Sequence, residues 1–173
     1  MPKKRQLVPP VLPWSLHKGR GWRSQLERMD RWYARMLHAK AKTDIADFLF
    51  AFFQNSYHFR EWLEATGGVT KKELDLLFKD HPELGICRDI CNATKHFSLS
   101  TPPPPNQQYE ISFVQEHCPQ NGPLSGDGWF GGEAKLTVVA DKRNYDARDL
   151  AYQCLEIWKA FVAQRKPEDK NAF

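Results

Sequence analysis

Apolar residues recur along most of this chain in a helical rhythm, and the breaks in that rhythm mark where elements end. From about Arg23 to Ala41, Leu26, Met29, Tyr33 and Met36/Leu37 return every three or four residues, with Arg28, Asp30, Arg31 and Arg35 between them. A second helix spans about Thr43 to Thr66, with Thr43 or Asp44 as its cap and Gly67-Gly68 as its stop. Thr70-Lys71-Lys72-Glu73 has the form of a capping box and opens a short third helix to about Lys79. Pro82 suits the first turn of a fourth, which runs to about Phe97.

The rhythm then changes. Pro102 to Pro105 forbid helix and set a stiff extended spacer. Tyr109, Ile111 and Phe113 alternate with polar residues, as do Ala134, Leu136 and Val138, so two half-buried strands are expected around a Gly/Pro-rich loop from Pro119 to Gly132. Asp146 caps a last helix whose Leu150, Cys154, Ile157/Trp158 and Phe161 form an apolar stripe, and Pro167 follows its end. The expected fold is mainly α: an up-and-down helical bundle of four to five helices with a β-hairpin insertion before the last helix. The expected organisation is a basic, Pro-containing N-terminal arm (1–22), a bundle domain (23–166) with the insertion at about 106–145, and a C-terminal tail (167–173).

Composition supports one ordinary domain. With 173 residues, 41% hydrophobic and 13% aromatic, the chain can bury a substantial core and is not of disordered type. The longest apolar run, Ile45 to Phe53, is interrupted by Asp47, too short for a membrane span, and the N-terminus lacks the apolar stretch of a signal peptide. A cytoplasmic address without membrane association is therefore expected. The four cysteines suit it: only Cys87 and Cys91 are closely spaced, no second such pair accompanies them, and reduced, mostly buried thiols are the expectation.

Charge changes the picture at one end only. Residues 1–24 carry six Lys or Arg and no acid, which leaves 19 basic against 21 acidic residues elsewhere. The net +4 thus belongs to an arm containing Lys3, Lys4 and Arg5, together with Pro9, Pro10 and Pro13. Such an arm offers sequence-independent affinity for phosphate, and is equally a solvated tail.

Candidate chemistry comes from two helices. On a wheel of the second, Asn55 falls inside the apolar stripe of Ile45, Phe48, Phe52, Phe59 and Leu63, with His58 at its edge and Glu61 one step further out. A buried amide costs a few kcal/mol unless its hydrogen bonds are met, so a partner across the bundle is required. The fourth helix offers Asp89, Asn92 and His96 at i, i+3 and i+7, flanked by Arg88 and Lys95. Buried Asn, Asp and His side chains also commonly do no more than satisfy one another and fix helix register.

The two segments, Phe53-Gln54-Asn55-Ser56-Tyr57-His58-Phe59-Arg60-Glu61-Trp62 and Cys87-Arg88-Asp89-Ile90-Cys91-Asn92-Ala93-Thr94-Lys95-His96, resemble those of a group of bacterial helical-bundle proteins with paired N-x-x-H and D-x-x-N-x-x-K-H motifs. The layout of motif helices in a small bundle also resembles the HEPN superfamily. That resemblance covers roughly residues 23 to 97 and the last helix. It implies a dimeric, metal-independent ribonuclease of a toxin–antitoxin or phage-defence system, with an antitoxin or other protein as partner. The superfamily motif is an Arg, four to six residues, then a His, often with Asn directly after the Arg. Here Asn92 and His96 keep their relation, but Cys91 precedes Asn92, and Arg88 has seven residues between it and His96.

Three readings follow, in this order. In the first the protein acts on RNA without a cofactor: His96 or His58 takes the 2′-OH proton, and Lys95, Arg88, Asn55 and Asn92 stabilise the phosphorane, with Asp89 in the same cluster. Lys3, Lys4, Arg5 and Arg88 bind the nucleic acid in that reading. In the second the polar interface orders a bundle or dimer that binds a partner without catalysis. In the third His58, Glu61, Asp89 and His96 hold a metal, although the paired Glu-x-x-His motifs of di-metal bundles are missing, and no metal site is expected.

Overall fold

The computed structural model describes residues 21–95, 112–118, 133–140 and 143–168. Its elements run α1 (Gly21–His38), α2 (Lys42–Thr66), α3 (Lys71–Asp80), α4 (Pro82–Lys95), β1 (Ser112–Cys118), β2 (Glu133–Ala140), β3 (Arg143–Asp146) and α5 (Ala147–Arg165). The mainly helical bundle with a β-hairpin ahead of the last helix is therefore present. The arm up to residue 20, the residues from His96 to Ile111 with their four prolines, the loop from Pro119 to Gly132 and the tail beyond Glu168 lie outside the described residues.

The bundle is organised on α2, its longest helix at 25 residues. Leu49, Phe52, Phe53, Ser56, Phe59 and Leu63 are all fully buried, and on a helical wheel they cover a wide arc rather than a narrow stripe. An arc of that width needs neighbours on more than one side, and α1, α4 and α5 supply them. Trp158 of α5 fills the centre: its ring meets Phe59 edge-on at 5.0 Å and its Nε1 donates to Ser56 Oγ at 3.1 Å. The buried indole thus has the hydrogen bond its N–H requires.

Helix ends follow local chemistry in most places. Thr70 caps α3 with the reciprocal box its sequence implies, its hydroxyl accepting from the Glu73 N–H while the Glu73 carboxylate accepts from the Thr70 N–H. Asp146 caps α5 by accepting from the N–H groups of Arg148 and Asp149. The start of α2 differs from expectation. Its cap is Ala41, with no side-chain hydrogen bond, so that Thr43 and Asp44 lie exposed in the first turn instead. Asp44 there still favours the helix through the positive end of its dipole.

The sheet is antiparallel in the order β1-β2-β3, with Phe113 opposite Val138 and Val138 opposite Tyr145. The expected hairpin is β1–β2. The third strand was not expected, because its four residues, Arg-Asn-Tyr-Asp, carry no apolar alternation and pair only as an edge. Val138 and Ala140 of β2 are fully buried and join the helical core.

α1 begins at Gly21, so Trp22, assigned from sequence to the arm, belongs to the bundle. Its backbone N–H donates to Thr66 Oγ1 at 2.9 Å, and its Nε1 donates to the carbonyl of Glu168 at 3.2 Å. Glu168 in turn donates its N–H to the carbonyl of Gly67. Gly67 has to be glycine here, since a Cβ would stand 2.9 Å from the Leu63 carbonyl oxygen and 3.1 Å from Pro167. Among the described residues no helix is long and apolar enough to cross a membrane.

Candidate functional site

α2 sets its two candidate polar groups against different neighbours. Asn55 faces α1. Gln25 Nε2 donates to Asn55 Oδ1 at 2.9 Å and to its carbonyl at 3.2 Å, and Asn55 Nδ2 donates back to the Ala51 carbonyl at 2.6 Å. The partner expected for this amide was α4. It is α1 because residues 39–41 fold α1 back on α2, which makes contacts symmetric about residue 40. Gln25 and Asn55 are one such pair, and Trp32 with Phe48, ring centroids 5.8 Å apart, is another. Gln25 is 3% exposed, and its Oε1 has no hydrogen-bond partner among the described residues.

His58 meets α4 instead. Its Nε2 lies 4.0 Å from Cys91 Sγ on α4, and its Nδ1 lies 3.5 Å from a Glu61 carboxylate oxygen. Which ring nitrogen carries the proton depends on the tautomer. The His58 side chain keeps 41% of its surface, whereas Cys91 is only 2% exposed. The imidazole therefore has one neighbour at each ring nitrogen and is open to solvent on the rest of its ring.

α4 contributes a charged pair beside this contact. Arg88 Nε donates to Asp89 Oδ1 at 2.8 Å and a second guanidinium nitrogen donates to Oδ2 at 3.3 Å, a two-pronged arrangement with both side chains mostly buried. Asn92 is half-buried on the same helix, and Lys95 is its last residue. His96, and Lys3, Lys4 and Arg5 of the arm, lie outside the described residues. Of the expected cluster, then, His58 reaches α4, Asp89 is engaged by Arg88, and Asn55 is drawn away to α1.

Sequence reasoning missed two members. Gln25 was passed over although symmetry about the short connection points to it. Cys91 was set aside with the other thiols although it lies between Asp89 and Asn92. Cys87, Cys91 and Cys154 are buried thiols, as expected. The Cys154 thiol is pushed up by burial first and by the neighbouring Cys87 thiol second, which keeps it protonated and inert. Among the described residues no three His, Cys, Asp or Glu side chains are grouped to hold a metal ion, His58, Glu61 and Asp89 included.

A groove of about 450 Å³ opens elsewhere, between α1 and the end of α5, lined by Trp22, Leu26, Asp30, Val162 and Pro167 among others. None of the described candidate residues lines it. No protein-family model matches the chain, and neither a curated protein nor a solved structure matches it.

Proposed function

We propose that the protein acts on RNA as a HEPN-like, metal-independent endoribonuclease of a toxin–antitoxin or defence system, working as a homodimer and restrained by a protein partner. The observation that carries this reading is the half-open His58 imidazole at the seam of the two motif helices, between Cys91 and Glu61. In it His58 or His96 takes the 2′-OH proton, and Arg88 with Asn92 and Lys95 offers charge and donors to the phosphorane. Such a reaction needs no metal, because a base and a cation together cover proton removal and charge development.

The test is cleavage of a mixed-sequence RNA in the presence of a chelator. The parent protein should cut, and whichever of His58→Ala and His96→Ala removes the base should lower the rate at least ~100-fold, the usual worth of a general base. A parent that leaves the RNA intact, or variants that cut at the parental rate, would overturn the reading.

One observation favours a second reading, a non-catalytic interaction module. Asn55 and Asp89 already have their hydrogen bonds met inside the fold, by Gln25 and Ala51 and by Arg88. Groups satisfied in this way serve register and stability. In that case the polar seam orders the bundle, and a bound protein carries the activity.

A further inference from the structure

Two ion pairs on α1 leave one flank of that helix distinctive. Glu27 pairs with Arg31 at 3.8 Å, and Asp30 is taken by Lys159 of α5 at 2.8 Å. Arg28 and Arg35 have no such carboxylate within 4 Å among the described residues, and Asp44 and Asp47 at the start of α2 pair with neither. Arg28, Trp32 and Arg35 follow i, i+4 and i+7, so they share one stripe. It runs along the solvent edge of the α1–α2 contact. Trp32 is half-buried with its ring packed on Phe48, and the Arg35 guanidinium lies over it, 4.6 Å from the ring centroid.

A ring with a cation on either side is the arrangement that receives a polynucleotide whose bases are unstacked. One base stacks on the indole and the flanking phosphates meet the guanidinium groups. The Arg35 contact does not block this. An exposed cation–π contact is worth less than base–aromatic stacking, so an incoming base displaces the guanidinium. The displaced group stays within reach of the adjoining phosphate and gains a charge-assisted contact there.

We propose that Arg28, Trp32 and Arg35 form a binding stripe for single-stranded RNA, separate from the α2–α4 seam. The choice of RNA among single-stranded polyanions rests on the RNA-acting reading above, while the ring and the two cations require an unpaired strand in any case. Phe48 and His58 are ten residues apart on α2, so the stripe and the seam are separated by roughly 15 Å along the helix. One strand of a few nucleotides spans that distance, which would let the stripe hold RNA while the seam works on it.

The experiment is fluorescence anisotropy of a labelled 12-nucleotide oligo(U) against the full chain at two salt concentrations. Trp32→Ala should weaken binding ~10-fold and Trp32→Phe less than ~3-fold, since a phenyl ring still stacks. The double variant Arg28→Gln/Arg35→Gln should weaken binding and lower the slope of log affinity against log salt by about 1, the share of one to two phosphates on a single strand. Trp32→Ala removes packing on Phe48, so the arginine pair and Trp32→Phe carry the test if that variant unfolds. Parental binding by Trp32→Ala and by the arginine pair would overturn the stripe, as would equal affinity for a duplex of the same length. So would binding to vesicles of anionic lipid with the same arginine dependence and none to oligo(U). Loss of binding in these variants, with cleavage absent throughout, would retain the stripe and remove the catalytic reading. Intact binding with cleavage lost in His58→Ala would do the reverse.

Discussion

Asn55 and His58 stand three residues apart on one helix, yet their surroundings have opposite characters. The Asn55 amide is closed: both of its polar ends are engaged, and its partner Gln25 is 3% exposed. The His58 imidazole is open: it has one long contact to a thiol, one loose carboxylate neighbour and 41% of its surface in solvent. Wheel position separates them by about 60°, enough for α1 to cover one and leave the other at the α2–α4 seam. A polar residue on an apolar stripe is thus not by itself a sign of function. What distinguishes a group available for chemistry is how much of its hydrogen-bonding capacity the fold leaves uncommitted.

The comparison breaks most visibly at the closed contact. Asn55→Ala strands the buried Gln25 amide, whose Oε1 already lacks a partner among the described residues, and should cost about 1–3 kcal/mol in chemical denaturation. Gln25→Leu combined with Asn55→Leu should recover most of that loss, because two apolar groups leave no polar atom unmet. A neutral Asn55→Ala would mean that water enters this contact and that it is not closed at all. The open contact should behave in the opposite way. His58→Ala removes a half-exposed ring with weak partners, so its melting temperature should stay within what about 0.5 kcal/mol allows. A large loss there would make His58 a structural residue and strip the seam of its best candidate.

The smallest effect is expected at an exposed polar junction far from both. The Thr70 hydroxyl, the Thr70 backbone N–H and Arg165 together hold the Glu73 carboxyl down to about 2 from its ordinary 4.5. A depressed carboxyl stabilises the fold above its ordinary value and loses that contribution as pH falls through the depressed one. Melting temperature should therefore decline between pH 4.5 and 2 with a component that Glu73→Gln removes. Parallel pH profiles for the two proteins would show that the box and its Arg165 contact, at 2.6 Å, add nothing in solution.

These contrasts also mark what was readable from sequence. The capping box at Thr70 and Glu73 and the Asp146 cap were legible because each is a local bond within three residues. Strand β3 was not, because an edge strand of polar residues shows no period. The Ala41 cap was not, because an extended residue between two helices leaves no side-chain sign. The wheel placed Asn55 inward, but a wheel has no partner helix, so it could not choose between α1 and α4. The fold about residue 40 makes that choice, and with it the separation of Asn55 from His58.

The meeting of Trp22, Gly67 and Glu168 has a consequence for how the chain is threaded. Its backbone enters the bundle and leaves it through hydrogen bonds shared at one place, with Trp22 Nε1 3.2 Å from the Glu168 carbonyl. In topological terms the described domain is nearly a ring whose seam lies there. A linker of a few residues would close that seam, and a new pair of ends could be cut between the exposed Lys40 and Ala41. Sequence order would then differ from the natural one while the same side chains touched.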